Sequence, residues 1–190
     1  MALRSTQIVH ATRPFRLGLS GLPGCGKSTL ARAMVAHARR RGWPALSLSL
    51  DDFYLSRRER RQLAAHVHPL LVTRGVPGTH DMPALRRVLR LLMGDSTPLA
   101  LRIPRFDKGR DTRQPPSRWR SVETHPRLLI LEGWCLGMAP LEPAHLIAPI
   151  NPLERIEDAC ALWRRWGNRR LRDYMPLWQQ LDARIVLQPP

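Results

Sequence analysis

The densest chemistry in the chain lies near its start, in Gly21-Leu22-Pro23-Gly24-Cys25-Gly26-Lys27-Ser28-Thr29. The run fits the spacing G-x-x-x-x-G-K-[ST]. Glycines at those positions let consecutive backbone N–H groups curl around phosphate oxygens with no Cβ in the way. Lys27 would reach the β- and γ-phosphates of a nucleoside triphosphate, and the Ser28 hydroxyl would face Mg²⁺. The expected ligands are therefore ATP and Mg²⁺, bound between Gly21 and Thr29. Cys25, inside the run, is read as a small half-buried filler.

Four further segments could act on such a nucleotide. Asp51-Asp52-Phe53-Tyr54 places two carboxylates at the end of a short apolar stretch. A carboxylate there could accept the proton of an attacking hydroxyl. Neighbours in a strand point to opposite faces, so one of the pair would face the phosphate. Leu128-Leu129-Ile130-Leu131-Glu132-Gly133 is a buried-strand pattern ending in an acid, the usual second half of a phosphate-loop site. Glu132 would hold Mg²⁺ directly or through water. Arg74 to Asp81 and Arg102 to Lys108 combine turn residues with groups able to clasp an acceptor. Tyr54, Arg74, His80 and Arg105 are candidates there, because Arg binds carboxylate or phosphate through two parallel hydrogen bonds.

Elements of alternating type must position these groups. Phe15 to Ser20 reads as a buried strand. A helix follows from Lys27, with Leu30, Met34 and Ala38 recurring on one face. Arg39, Arg40 and Arg41 suit its C-terminal dipole, and Gly42 closes it. Ala45 to Leu50 reads as a strand, Ser56 to Arg61 as a polar basic stretch, and Pro83 to Met93 as an amphipathic helix. Leu99 to Ile103 reads as a strand, Pro104 to Trp119 as loop, and Arg127 to Leu131 as a strand. A long helix is expected from Leu153 to about Arg172, broken or kinked at Pro176, and a last strand from Ala183 to Leu187. Such alternation predicts a parallel sheet with helices on both faces. Ligands then sit at the carboxyl ends of the strands, where Gly21, Asp51 and Glu132 fall.

Composition narrows the classes. The 190 residues, 43% of them hydrophobic, suffice for one domain with a core. The apolar stretches are short and broken by Arg or Pro, so no segment predicts a membrane span. The segment 1–14 has no signal-peptide run and reads as a short extension, giving an expectation of a cytoplasmic protein. Three scattered cysteines argue against a disulfide framework and a zinc site. The formal charge is +16, and only Lys27 and Lys108 are lysines. That balance suits anionic partners. A nucleic-acid-linked ATPase or end-kinase is the alternative it raises, with salt-steep binding as its sign. Scattered arginines and 6% aromatics argue against nucleic acid as the partner.

Taken in order, the five segments resemble the D-glycerate 3-kinase group of the uridine kinase, phosphoribulokinase and pantothenate kinase superfamily. The phrases Ser49 to Tyr54, Arg74 to Asp81, Pro104 to Lys108 and Leu131 to Gly137 carry the resemblance, which covers Phe15 to the C-terminus. It implies an α/β, three-layer P-loop NTPase-type fold with a mainly parallel sheet, in one kinase domain over 1–190. It implies transfer of the ATP γ-phosphoryl group to a hydroxyl of a glycerate-like small molecule. The superfamily's catalytic carboxylate maps onto Asp51, its acceptor-binding acid onto Asp81, and its nucleotide site onto Gly21 to Thr29. Arg74 or Arg105 would then hold the glycerate carboxylate. The loop after Lys108 is compressed to Gly109–Arg113. Relatives also continue past Leu187 into a lid helix with phosphate-contacting arginines, so a C-terminally truncated fold is expected. A nucleotide-binding protein with little turnover is the alternative reading that follows. The oligomeric state is left open.

Overall fold

A computed structural model describes residues 13–94 and 99–188; most of the N-terminal extension lies outside them. The central sheet is parallel throughout. Its strands are β1 (Phe15–Gly21), β2 (Ala45–Ser49), β7 (Leu128–Gly133) and β8 (Ala183–Leu187), in the order β2-β7-β1-β8. Alternation along β7 explains why helices cover both faces. Leu128 and Ile130 point into one apolar cluster, and Leu129 and Leu131 into the other.

On the first face lies helix α1 (Lys27–Arg40), whose Ala31, Val35 and Ala38 pack on Leu17, Leu19 and Ile130. Ala31 and Ala38 let the helix approach closely, and Gly42 leaves it with a φ of 73°. On the second face, Leu46, Leu48, Leu129 and Leu131 pack beneath helix α3 (Met82–Met93) and the short helix α6 (Met175–Trp178). Leu85 and Leu92 of α3 are fully buried, each contributing about 2 kcal/mol relative to exposure. The result is the three-layer α/β/α arrangement expected.

Four local expectations are corrected. The polar stretch Ser56–Arg61 opens helix α2 (Arg57–His66). Ser56 Oγ accepts from the Glu59 N–H at 3.3 Å, and Glu59 accepts from the Ser56 N–H at 2.7 Å, a reciprocal cap written as S-x-x-E. The strand at Leu99–Ile103 is β3 (Leu101–Ile103), which joins no parallel sheet. It pairs antiparallel with β6 (Arg120–Val122). The loop Pro104–Trp119 contains a hairpin of β4 (Phe106–Asp107) and β5 (Thr112–Arg113). The long helix is broken into α4 (Pro152–Glu157) and α5 (Leu162–Arg170). Asp158 causes the break: its buried carboxylate accepts from the N–H groups of Trp163 and Arg164, restarting the helix. Pro176 sits in the first turn of α6, where its missing N–H is tolerated. Among the described residues no helix is long and apolar enough to cross a membrane.

Candidate active site

Strands β1, β2 and β7 end side by side, and the groups singled out above converge there. Gly21–Gly26 turns from β1 into α1, with Gly24 at φ 84° and Gly26 at φ 86°. Both values lie in the left-handed region that disfavours side chains. Nothing stands within 4 Å of a Cβ built on either, so the cradle is open towards a ligand. The first N–H groups of α1 lack intrahelical partners and point the same way. Lys27 is buried, and its Nζ donates to the Leu22 carbonyl at 2.7 Å. Ser28 Oγ donates to Glu132 Oε1 at 2.8 Å. Loop geometry, ammonium and paired oxygens thus fit a triphosphate with Mg²⁺, a hard cation that takes oxygen ligands.

Asp51 and Asp52 occupy a 3-10 turn (Leu50–Phe53) rather than the end of a strand, and the turn separates their directions. Asp51 faces a cavity of about 700 Å³ that it shares with Lys27, Ser28, Tyr54, Arg74, Lys108, Glu132 and Trp134. Asp52 turns away and accepts from the Phe106 N–H at 3.1 Å. Both Asp51 oxygens are engaged: Oδ1 by the Tyr54 hydroxyl at 3.0 Å, Oδ2 by Lys108 Nζ at 2.6 Å. Burial pushes the Asp51 carboxyl up, but the Lys108 hydrogen bond and charge, with the Tyr54 bond, hold it below the usual carboxylate range. Burial, beside the Asp51 charge, pushes the Tyr54 hydroxyl up, so it stays a donor.

The other candidates fall behind or beside this cavity. Arg74 lines it; its Nη1 bonds Asp111 Oδ1 at 2.5 Å, and its guanidinium lies 5.6 Å from the Phe106 ring centroid. His80 does not line it. Its ring is buried behind Tyr54, stacked at 4.5 Å between centroids, and bonded through Nδ1 to the Tyr174 hydroxyl. Asp81 also lies off the wall. It accepts from the Ala84 N–H to start α3 and pairs with Arg113 at 2.9 Å. Arg105 lines a separate crevice of about 430 Å³ with Arg32, Asp52 and Arg120, behind the Ser28–Glu132 contact. Of the loop residues, Pro23, Gly24, Gly26, Lys27, Ser28 and Thr29 border the main cavity.

Three residues of the site were absent from the sequence candidates: Lys108, Asp111 and Trp134. Trp134 lines the cavity and donates through Nε1 to the Gly75 carbonyl at 2.8 Å. For Lys108 a signal existed. In a chain that otherwise uses arginine for positive charge, both lysines line this cavity.

A glycine-rich cradle between strand and helix, on a parallel α/β/α sheet, defines the P-loop nucleotide-binding fold. Relatives agree. The chain is 36% identical over 185 residues to the uncharacterized kinase mug58 of Schizosaccharomyces pombe, covering 93% of this chain and 65% of that protein. It is 30% identical over 183 residues to the chloroplastic D-glycerate 3-kinase of Arabidopsis thaliana, covering 92% and 38%. The solved structure of D-glycerate 3-kinase from Cryptococcus neoformans superposes with a TM-score of 0.76 at 27% identity, covering 93% and 64%. The chain spans less than two thirds of the length of each of these proteins. No protein-family profile matches it. The chain is a homologue of D-glycerate 3-kinase and related P-loop kinases.

Proposed function

We propose that this protein transfers the γ-phosphoryl group of ATP to a hydroxyl of a small acidic metabolite, with D-glycerate the acceptor favoured by its relatives. The observation that carries the reading is the placement of Asp51 in the cavity formed by the phosphate cradle, Lys27 and the Ser28–Glu132 pair. A base for an attacking hydroxyl is what phosphoryl transfer requires, and a carboxylate facing the phosphate site supplies one.

In this reading the glycine-rich loop and the N-terminus of α1 hold the phosphates through backbone N–H groups. Lys27 leaves the Leu22 carbonyl for the γ-phosphate. Ser28 and Glu132 hold Mg²⁺, which supplies neutralisation of phosphate charge when bound. Asp51 takes the hydroxyl proton as the oxygen attacks. Arg74 is the cavity-wall cation suited to an acceptor carboxylate.

The test is ATP consumption with D-glycerate, pantothenate, uridine and sugar phosphates, the product identified by mass. Acceptor-dependent consumption with phosphoglycerate formed is expected. Asp51→Asn should lower kcat by about 10²–10⁴, and Lys27→Ala should abolish turnover. Normal turnover by Asp51→Asn would remove the base assignment. MgATP binding without product from any acceptor would remove the enzyme reading.

A further inference from the structure

Each oxygen of the Asp51 carboxylate accepts one hydrogen bond, and the ammonium on Oδ2 masks the base of the proposed reaction by lowering its proton affinity. Opening either bond makes Asp51 a stronger base towards a hydroxyl. The partners differ sharply in their freedom. Tyr54 is buried, stacked on His80 and set edge-on to Phe106 at 5.4 Å. Its hydroxyl oxygen is held in place by that ring packing. Lys108 stands at the tip of the β4–β5 hairpin with a side chain 62% exposed, followed by Gly109. A lysine ammonium on a four-carbon stem can change partner at low cost, whereas a planar arginine fork is committed to one geometry.

A second cation on the same cavity wall is fixed. Arg74 is held by Asp111, which is itself held by the fully buried Arg60 at 2.7 Å, and its guanidinium lies over the Phe106 ring. Besides Lys27 in the phosphate cradle, the cavity therefore presents one rigid cation and one mobile cation beside the masked carboxylate.

We propose that Lys108 is a specificity-determining gate: a negatively charged group on the acceptor, seated against Arg74, draws Lys108 off Asp51 and thereby frees the base. The inference rests on the phosphotransferase reading above and adds what selects the acceptor. An uncharged polyol offers Lys108 no better partner, so Asp51 stays masked. Once Asp51 is free, the acceptor O–H bond breaks and its proton passes to Asp51 Oδ2. The hydroxyl oxygen forms a bond to the γ-phosphorus of ATP. The bond from that phosphorus to the β–γ bridging oxygen breaks, and ADP leaves with the electron pair. Lys108 thus acts through Asp51 and the acceptor anion rather than on the transferred phosphoryl group.

The experiment compares kcat/KM for D-glycerate and glycerol in the wild type and Lys108→Met, with pH profiles. The wild type should strongly prefer D-glycerate. In Lys108→Met the glycerate-to-glycerol ratio should fall at least tenfold, glycerate turnover dropping while glycerol turnover holds or rises. The acid limb of the glycerate profile should move to higher pH, because the cation that holds the Asp51 carboxyl down is gone. A merely structural role would lower both acceptors together. An unchanged ratio with both rates reduced, or a wild type that uses glycerol as well as glycerate, would overturn the gate. If the acceptor screen yields another acid, the same ratio is taken against its uncharged analogue. Failure of glycerate then counts against the acceptor named above, and an unchanged ratio counts against Lys108.

Discussion

His80 illustrates how a single ring can serve the site without touching its cavity. The Tyr174 hydroxyl accepts from the Gly78 N–H and is hydrogen-bonded to His80 Nδ1, the ring tautomer setting which of the two donates. The other ring nitrogen, Nε2, is buried and has no partner among the described residues. Burial pushes the His80 pKa down to about 3, against a smaller upward pull from Asp51. The sign of the consequence follows from linkage. Below the unfolded value near 6.5 the unfolded chain takes up a proton that the folded chain refuses. Stability is therefore lost as pH falls from about 6.5 towards 3, with a slope of up to about 1.4 kcal/mol per pH unit. Asp51 does not add to this window. Its folded value lies below the usual range, so its contribution is lost only as pH falls below about 4. Urea unfolding of the wild type and His80→Phe between pH 7 and 4.5 tests the point. The variant keeps a ring on Tyr54 and should show a visibly flatter pH dependence; parallel curves would mean that His80 protonates freely in the native state.

At the scale of elements, the β4–β5 hairpin organises the site. Lys108 pairs with Asp51, Asp111 with Arg74, and Arg113 with Asp81, while Arg113 also donates to the Tyr54 carbonyl. One short hairpin thereby ties the Asp51–Tyr54 turn to the Arg74–Asp81 loop. Asp111, with a φ of 53°, is its anchor, because it neutralises the fully buried Arg60. Removing one partner of such a pair leaves a charge without compensation. Asp111→Ala should cost about 3 kcal/mol in denaturant unfolding, the low end for a stranded charge because Asp111 is partly open to water. Adding Arg60→Met should restore most of it, since an apolar side chain in the buried site needs no counter-ion. A double variant as unstable as the single one would refute the charge account. This hairpin is also where sequence reasoning stopped. Strands β1, β2 and β7 and helices α1 and α3 announce themselves by period and by flanking glycine or proline. A two-residue strand has no period, and ion pairs such as Lys108–Asp51 join residues 57 positions apart, which no local pattern records. The P-loop and the facing acids were legible because their chemistry is contiguous in sequence. The acceptor side was not, because Asp81 is taken up by the start of α3 and by Arg113.

Across the whole molecule, the helices after β7 are coupled to the Arg74–Asp81 loop through Tyr174 and Trp166. Sequence reading gave that region one long helix. Asp158 broke it, and the break lets α5 and α6 wrap the Arg74–Asp81 loop instead of running past it. Tyr174 is fully buried between them; its hydroxyl accepts from the Gly78 N–H and reaches His80 Nδ1, both at 2.8 Å. Beside it Gly78 has a φ of 96°, and a Cβ there would lie 2.3 Å from the Trp166 ring. The loop that carries Arg74 is thus clamped from the C-terminal side by one hydroxyl and one close backbone-to-ring approach. Tyr174→Phe preserves the packing and deletes the hydroxyl alone, leaving a buried N–H and a buried ring nitrogen without partners. Each such group costs about 1–3 kcal/mol, so the variant should lose about 3 kcal/mol, a large share of a typical domain's stability. The urea midpoint should fall at unchanged slope, because the same surface is exposed on unfolding. Gly78→Ala strikes the same clamp by steric clash and a disfavoured φ. If the clamp is one cooperative unit, the two substitutions should combine to markedly less than the sum of their separate effects. Simple additivity would instead assign the hydroxyl and the ring contact to independent parts of the fold, and a Tyr174→Phe loss below about 0.5 kcal/mol, the range of an ordinary surface change, would leave the C-terminal helices uncoupled from the site.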